Sequence, residues 1–251
     1  MPKSSSKPTP NKRMQPKQEH LGSMQSDFIT LASHQLRTPL SGMRWLLELL
    51  MQPRTGPLNK KQREYIEKVY SSNDRMIALV NDLLEVTRLD QGDFKIYATP
   101  TDLVEIIRGL IKEKEKQVKI KQLNVTFTEQ EPFPLVKTDA NKIKQAVGNI
   151  LSNAISYTNN GGSVSIELRV SGPEIECMIR DTGVGIPVDQ QKMIFSKFFR
   201  GTNVLKFETI GTGLGMYITK AFIEASGGRI WVESKENVGT TFHFTLPIAG
   251  K

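Results

Sequence analysis

In the N-terminal third of the chain, apolar side chains recur at helical spacing. Phe28, Leu31, Leu36, Leu40, Met43, Leu47 and Leu50 follow at steps of three to four, with one step of five. The pattern predicts a helix from near Asp27 to about Met51. Gln52-Pro53-Arg54-Thr55-Gly56-Pro57-Leu58, with two prolines and a glycine, must end it. A second stripe of Ile66, Tyr70, Ile77, Val80 and Leu84 predicts a helix from about Asn59 to Leu89. Two long helices joined by a short turn form an antiparallel hairpin. Leu46 and Leu49 widen the first stripe beyond half the helix circumference, so the hairpin cannot bury both faces alone. Pairing with a second copy as a four-helix bundle would cover the excess, and so would packing against the rest of the chain.

After Gln91-Gly92-Asp93 the pattern becomes mixed. Strands are predicted at Phe94 to Ala98, Val125 to Thr128, Val164 to Leu168, Ile175 to Ile179, 229–234 and 240–246. Helices are predicted at Leu103 to Lys114, at Asn141 to Tyr157, and from a glycine-rich start at 211–215 to about Ala225. Hairpin turns at Gly172-Pro173 and Asn237-Val238-Gly239 indicate an α/β domain with antiparallel pairs rather than βαβ repeats.

Composition narrows the function classes. Half of the formal charge of +8 comes from residues 1–23, a stretch rich in Lys, Ser, Pro and Gln that reads as a flexible basic tail. The remainder is mildly basic and lacks a reading element, so no nucleic-acid partner is expected. No run is apolar enough to span a bilayer, and no membrane contact by this chain is expected. One cysteine, Cys177, rules out a disulfide framework. The three histidines, His20, His34 and His243, are far apart in sequence, which disfavours a histidine metal cluster.

His34 shares a helix face with Asp27, Thr30, Thr38, Ser41 and Glu48, a polar stripe broken only by Trp45. Pro39 removes a backbone donor, so the helix should bend or loosen just beyond His34. An exposed imidazole beside a distortion suits either a reactive group or an ordinary surface histidine.

Three glycine-bearing segments follow. Asp181-Thr182-Gly183-Val184-Gly185-Ile186-Pro187 offers a carboxylate for an exocyclic amine and glycines that let backbone approach a flat ring. Gly211-Thr212-Gly213-Leu214-Gly215-Met216 opens a helix, where backbone N–H groups can cradle phosphates. Gly239-Thr240-Thr241 precedes the last strand. Met216 spoils a dinucleotide fingerprint, and no Gly-Lys-Ser/Thr ending marks a P-loop. Asn149 and Asn153 lie one turn apart on a predicted helix, as paired amide-oxygen ligands for Mg²⁺ or as surface asparagines.

Taken together these blocks resemble the sensor histidine kinase family with its GHKL-type ATP-binding domain. Ser33-His34-Gln35-Leu36-Arg37-Thr38-Pro39-Leu40 resembles the phosphoacceptor box, and 149–158 the N box. Asp181 to Pro187 resembles the G1 box, Phe195-Ser196-Lys197-Phe198-Phe199-Arg200 the F box, and Gly211 to Gly215 the G2 box.

The resemblance implies an all-α hairpin over 24–91, forming a homodimeric four-helix bundle. It implies an α/β two-layer sandwich over 92–251 with a mixed, largely antiparallel sheet. It implies autophosphorylation of His34 from ATP with Mg²⁺, transfer to an aspartate of a response regulator receiver domain, regulator phosphatase activity aided by Thr38, and a cytoplasmic setting. Asn153 and Asn149 would hold Mg²⁺ and phosphate, Asp181 the adenine amine, and Tyr157 the base. Gly183, Gly185, Arg200, Gly211, Thr212, Gly213, Leu214, Gly215, Thr240 and Thr241 would complete the nucleotide site, with 201–210 as an ATP lid.

Two residues depart from the pattern. Gln35 stands where the family usually has Glu or Asp; it can accept the imidazole hydrogen bond but carries no charge. Ser156 stands where a lysine is common. Gln35 supports an alternative, a degenerate kinase serving as an ATP-binding dimeric module. A chaperone- or topoisomerase-like ATPase would need a glutamate in the N-box helix, and none lies between residues 138 and 158.

Overall fold

The computed structural model describes residues 15–129, 133–204 and 211–250. The chain divides into two compact units, Met1–Asp93 and Phe94–Lys251.

The first unit is the expected helical hairpin. Helix α1 spans Gln15–Leu50 and α2 spans Lys60–Asp90, joined by a single 3₁₀ turn at Pro53–Thr55. Helix α1 begins well before the expected start near Asp27, and so takes in part of the stretch read as a tail; residues 1–14 lie outside the described residues. Asn59 starts α2 with a capping box, its side chain accepting from Gln62 N while the Gln62 side chain accepts from its backbone N–H. Gly92 ends α2 in the left-handed region, at φ 70°, where Asp93 N can reach back to Arg88 O at 3.1 Å.

The two helices are fastened by polar contacts as well as by Leu40, Val80 and Leu84, all buried. Asn73 Nδ2 donates to Leu40 O at 2.9 Å, Arg37 Nη2 to Asn81 Oδ1 at 2.8 Å, and the Tyr70 hydroxyl to Glu48 Oε1 at 3.0 Å. The helix assignment runs unbroken through Pro39. A second apolar band is left uncovered: Leu36, Met43, Leu46 and Leu50 on α1, and Tyr65, Val69, Met76 and Leu79 on α2, are 42–54% exposed.

The second unit is an α/β domain. Strand β1 is Thr99–Thr101, α3 Leu103–Lys121, β2 Asn124–Thr128, β3 Val136–Thr138 and α4 Ala140–Tyr157. Then come β4 Ser163–Ser171, β5 Glu174–Asp181, α5 Gly215–Ala225, β6 Ile230–Lys235 and β7 Gly239–Pro247. The main sheet has the order β2-β4-β5-β7-β6. Only the β2–β4 pair is parallel; the rest are antiparallel. Strands β1 and β3 form a separate antiparallel pair.

Alternation builds the core. Val164, Ile166 and Leu168 of β4, Ile175, Cys177 and Ile179 of β5, and Phe242, Phe244 and Leu246 of β7 are all buried. Opposite them lie Ile143, Val147, Ile150 and Leu151 of α4, and Ile218 and Phe222 of α5. Each such side chain contributes about 1.5–3 kcal/mol on full burial. The Cys177 thiol is fully enclosed here, and burial pushes its pKa up.

Two expectations fail locally. Phe94 to Ala98 is not a strand: Phe94 stacks on Phe222 at 5.2 Å and Tyr97 N bonds Asp139 Oδ2, so side-chain docking replaces a ladder. Helix α3 runs to Lys121 rather than Lys114, its polar end supported by a Lys119–Glu115 ion pair one turn apart.

Candidate active site

Helix α4 carries the N-box residues. Asp139 caps its start by accepting from Asn141 N and Lys142 N, and Lys121 Nζ donates to the carbonyls of Ile155 and Ser156 at its end, both at 2.8 Å. Burial lowers the pKa of that lysine. Asn149, Asn153 and Tyr157 rise one turn apart along one half-buried face. Asn149 Nδ2 donates to Gly215 O at 3.1 Å and to Thr219 Oγ1 at 3.3 Å, which leaves its Oδ1 available to a ligand.

Strand β5 ends in Asp181, which is 5% exposed. Its Oδ1 accepts from Gly183 N at 2.8 Å and Thr240 N at 3.2 Å. Its Oδ2 receives no hydrogen bond among the described residues, so one acceptor oxygen is left for a ligand's donor. Burial drives the Asp181 pKa up to about 6, against the opposing pull of the two backbone donors.

The loop after Asp181 is tightly held. Val184 N donates to Tyr157 O at 3.2 Å, Asn237 N to Val184 O at 2.7 Å, and Ile186 N to Ser234 Oγ at 2.8 Å. A side chain at Gly183 would overlap the Tyr157 carbonyl, and one at Gly185, φ 66°, would overlap the Lys235 carbonyl. Glycine is required there because backbone from α4 and β6 occupies the space.

On the other side, Phe195 packs edge-on to Phe242 at 6.5 Å with Lys220 Nζ 5.7 Å from its ring centroid, placing the F-box segment over the sheet. Phe198 adopts φ 61°, and its backbone fills the space a side chain at Gly213 would need. Gly211 has open space around it, and Thr212 Oγ1 accepts from Leu214 N at 3.1 Å just before α5 begins at Gly215. Thr240 faces Asp181 in the β5–β7 ladder and Thr241 faces Arg180. Arg200 is half-buried; the expected lid is described only over 201–204.

The structure therefore gathers Asn149, Tyr157, Asp181, Gly183, Gly185, Gly213, Gly215 and Thr240 into one connected rim. His34, Gln35 and Thr38 lie on α1 in the other unit, all exposed, with Thr38 Oγ1 3.5 Å from His34 O. Sequence reading missed Ser234, Gln190, Asn203, Thr219 and Lys121, whose bonds join segments distant in the chain. No group of three or more His, Cys, Asp or Glu among the described residues could hold a metal ion, so a cation here would depend on amide and phosphate oxygens. Among the described residues, no helix is long and apolar enough to cross a membrane.

A phosphoacceptor-type hairpin joined to a mixed-sheet domain with this rim defines a two-domain histidine kinase core. Residues 24–92 match the His Kinase A (phospho-acceptor) domain, and residues 138–250 the histidine kinase-, DNA gyrase B-, and HSP90-like ATPase family. The chain belongs to the histidine kinase family. It is 34% identical over 236 residues to sensor histidine kinase WalK of Bacillus subtilis, covering 92% of this chain and 38% of that protein. It is 33% identical over 222 residues to the adaptive-response sensory kinase SasA of Synechococcus, covering 88% of this chain and 58% of that protein. The chain thus spans less than two thirds of these relatives. Full-length ShkA in complex with AMPPNP matches at TM-score 0.71 and 26% identity, over 90% of this chain and 47% of that one. The nucleotide-free catalytic domain of histidine kinase ThkA matches at TM-score 0.54 and 30% identity, over 61% of this chain and 99% of that one.

Proposed function

We propose that this chain phosphorylates its own His34 from ATP and passes the phosphoryl group to an aspartate of a response regulator receiver domain. The observation that carries the reading is Asp181: a buried carboxylate with one oxygen committed to the fold and the other uncommitted, at the head of a loop whose Gly183 and Gly185 positions have no room for a side chain. That oxygen suits the exocyclic amine of adenine. Tyr157 lies on the adjoining turn of α4, and Gly213 to Gly215 lead into α5, whose N-terminus favours phosphate.

Phosphoryl transfer demands positioning and charge stabilisation. Asn149 Oδ1 and Asn153 would hold Mg²⁺, which when bound neutralises charge developing on the phosphates. Arg200, Thr212, Leu214 and Thr241 would complete the nucleotide site. A neutral imidazole nitrogen of His34 forms the bond to the γ-phosphorus while the bond to the β–γ bridging oxygen breaks, releasing ADP. Gln35 accepts the hydrogen bond of the other ring nitrogen. Thr38, one turn from His34, aids hydrolysis of the regulator's phosphate.

The exposed apolar band of α1 and α2 supports a homodimer through residues 24–91, because association would cover eight large side chains the hairpin leaves wet. Family membership supports a cytoplasmic setting.

The test is incubation of the full chain with labelled ATP and Mg²⁺. Label on wild type, lost in His34→Ala and in Asp181→Asn, is expected. Nucleotide binding without label would instead make the chain an ATP-binding dimeric module.

A further inference from the structure

We propose that Asn203 is a specificity-determining positioning residue: it fixes the Gly185–Ile186 peptide of the base-side loop, and through it the preference for adenine. This inference rests on the reading of Asp181 and its loop as the adenine pocket.

The Gly185–Ile186 peptide is held from both sides. Asn203 Nδ2 donates to Gly185 O at 2.9 Å, and Ile186 N donates to Ser234 Oγ at 2.8 Å. Ser234 is itself fixed, since its hydroxyl donates to Gly239 O at 2.9 Å and lies 2.9 Å from Thr240 Oγ1. The Ser234 side is thus built into the sheet, next to the residue whose N–H bonds Asp181. The Asn203 side has no such backing from regular structure. It comes from the short 3₁₀ turn Thr202–Val204, eighteen residues along the chain.

A second pairing holds that turn in place. Gln190 Nε2 donates to Thr202 Oγ1 at 2.7 Å, and Thr202 N donates to Gln190 Oε1 at 3.0 Å. Gln190 is 8% exposed, so its amide is committed to this contact. Gln190 thus seats the turn, and the turn aims Asn203 at the loop. With both contacts in place the loop is fixed at five backbone groups: Gly183 N by Asp181, Val184 N by α4, Val184 O by Asn237, Gly185 O by Asn203 and Ile186 N by Ser234.

Base selectivity needs that fixity. A site that reads one exocyclic group rejects the wrong base only if its polar groups cannot shift to suit it. Loss of the Asn203 bond frees the Gly185 carbonyl and lets the loop adapt, which weakens discrimination more than it weakens general nucleotide binding.

The experiment measures calorimetric binding of Mg²⁺-ADP and Mg²⁺-GDP to the full chain and its variants. Asn203→Ala is expected to lose about five- to tenfold in ADP affinity, the worth of one such hydrogen bond, with a smaller loss for GDP. Asn203→Asp should behave like Asn203→Ala, since a carboxylate cannot donate to a carbonyl. Gln190→Glu should keep the wild-type ADP-to-GDP ratio, because the N–H and hydroxyl of Thr202 can both donate to a carboxylate. An unchanged ratio in Asn203→Ala overturns the proposal, even where both affinities drop together, as a merely structural role would cause. Asp181→Asn separates the levels. If it abolishes ADP binding while Asn203→Ala keeps the ratio, only this inference falls; if wild type binds no ADP, the pocket reading falls with it.

Discussion

Asn149 and Gly215 are bonded across the site: the Asn149 amide donates to the Gly215 carbonyl at 3.1 Å. The middle of α4 is thereby tied to the first residue of α5. A side chain at Gly215 would lie 3.4 Å from that amide nitrogen, in ordinary contact with it.

Removing the tie should cost both binding and folding. Asn149→Ala is expected to weaken Mg²⁺-ADP binding by roughly tenfold, because its amide oxygen is lost, and to lower stability by about 1 kcal/mol, because its bonds to Gly215 and Thr219 are lost. Nucleotide titration of the purified variant checks the first effect, and a lowered thermal midpoint the second.

Asp181 should make binding pH-dependent. Its pKa of about 6 means that the carboxylate dominates above that value and the neutral acid below it. Adenine nucleotide affinity is therefore expected to fall as pH drops through 6, and Asp181→Asn, already neutral, should show no such step.

The same group acts on stability with the opposite sense. A folded-state pKa raised from 3.8 to about 6 means that the folded form holds the proton more tightly. That stabilisation is fully present below 3.8 and is lost as pH rises through about 6. At pH 7.5 the buried charge works against folding, so Asp181→Asn should raise the melting temperature there, and the gain should vanish near pH 4. Thermal denaturation at the two pH values decides it.

Gly183 and Gly211 should respond differently to the same change. Gly183→Ala forces a methyl group into the Tyr157 carbonyl and is expected to destabilise by about 1–3 kcal/mol. Gly211→Ala meets nothing within 4 Å and should leave the melting temperature unchanged. Denaturant titration of the two variants measures the contrast.

Gln35→Glu should speed His34 phosphorylation several-fold. A charged acceptor makes a hydrogen bond roughly twice as strong as a neutral one and favours the imidazolium that develops. An unchanged or lower initial rate of label incorporation would contradict this.

Periodicity was enough to reveal the hairpin, because each helix buries a stripe and Pro53, Gly56 and Pro57 interrupt both. It also revealed β4 and β5, which bury one face, and β7, whose Phe242-His243-Phe244-Thr245-Leu246 alternation persists although both faces are buried. It missed the start of α1 at Gln15, where the side chains are polar and no stop signal stands. It misread Phe94 because an aromatic among alternating residues looks the same whether it joins a ladder or stacks on a helix. In the site, the glycine blocks and Asp181 were legible because a carboxylate among glycines is a local pattern. Ser234, Gln190 and Asn203 were not. Each is an unremarkable polar residue until folding brings its partner, from six to nearly fifty positions away, within 3 Å.

The burial of Cys177 has a practical side. The chain's one thiol lies inside the sheet core, its pKa pushed up and its surface closed to solvent. Thiolate-selective dyes and spin labels need an accessible, ionised sulfur. A cysteine introduced on the outer face of α1 and another on the nucleotide-binding unit would thus be the only sites labelled in the native protein. The distance between the units in solution could then be followed by spectroscopy in a chain that keeps its natural thiol.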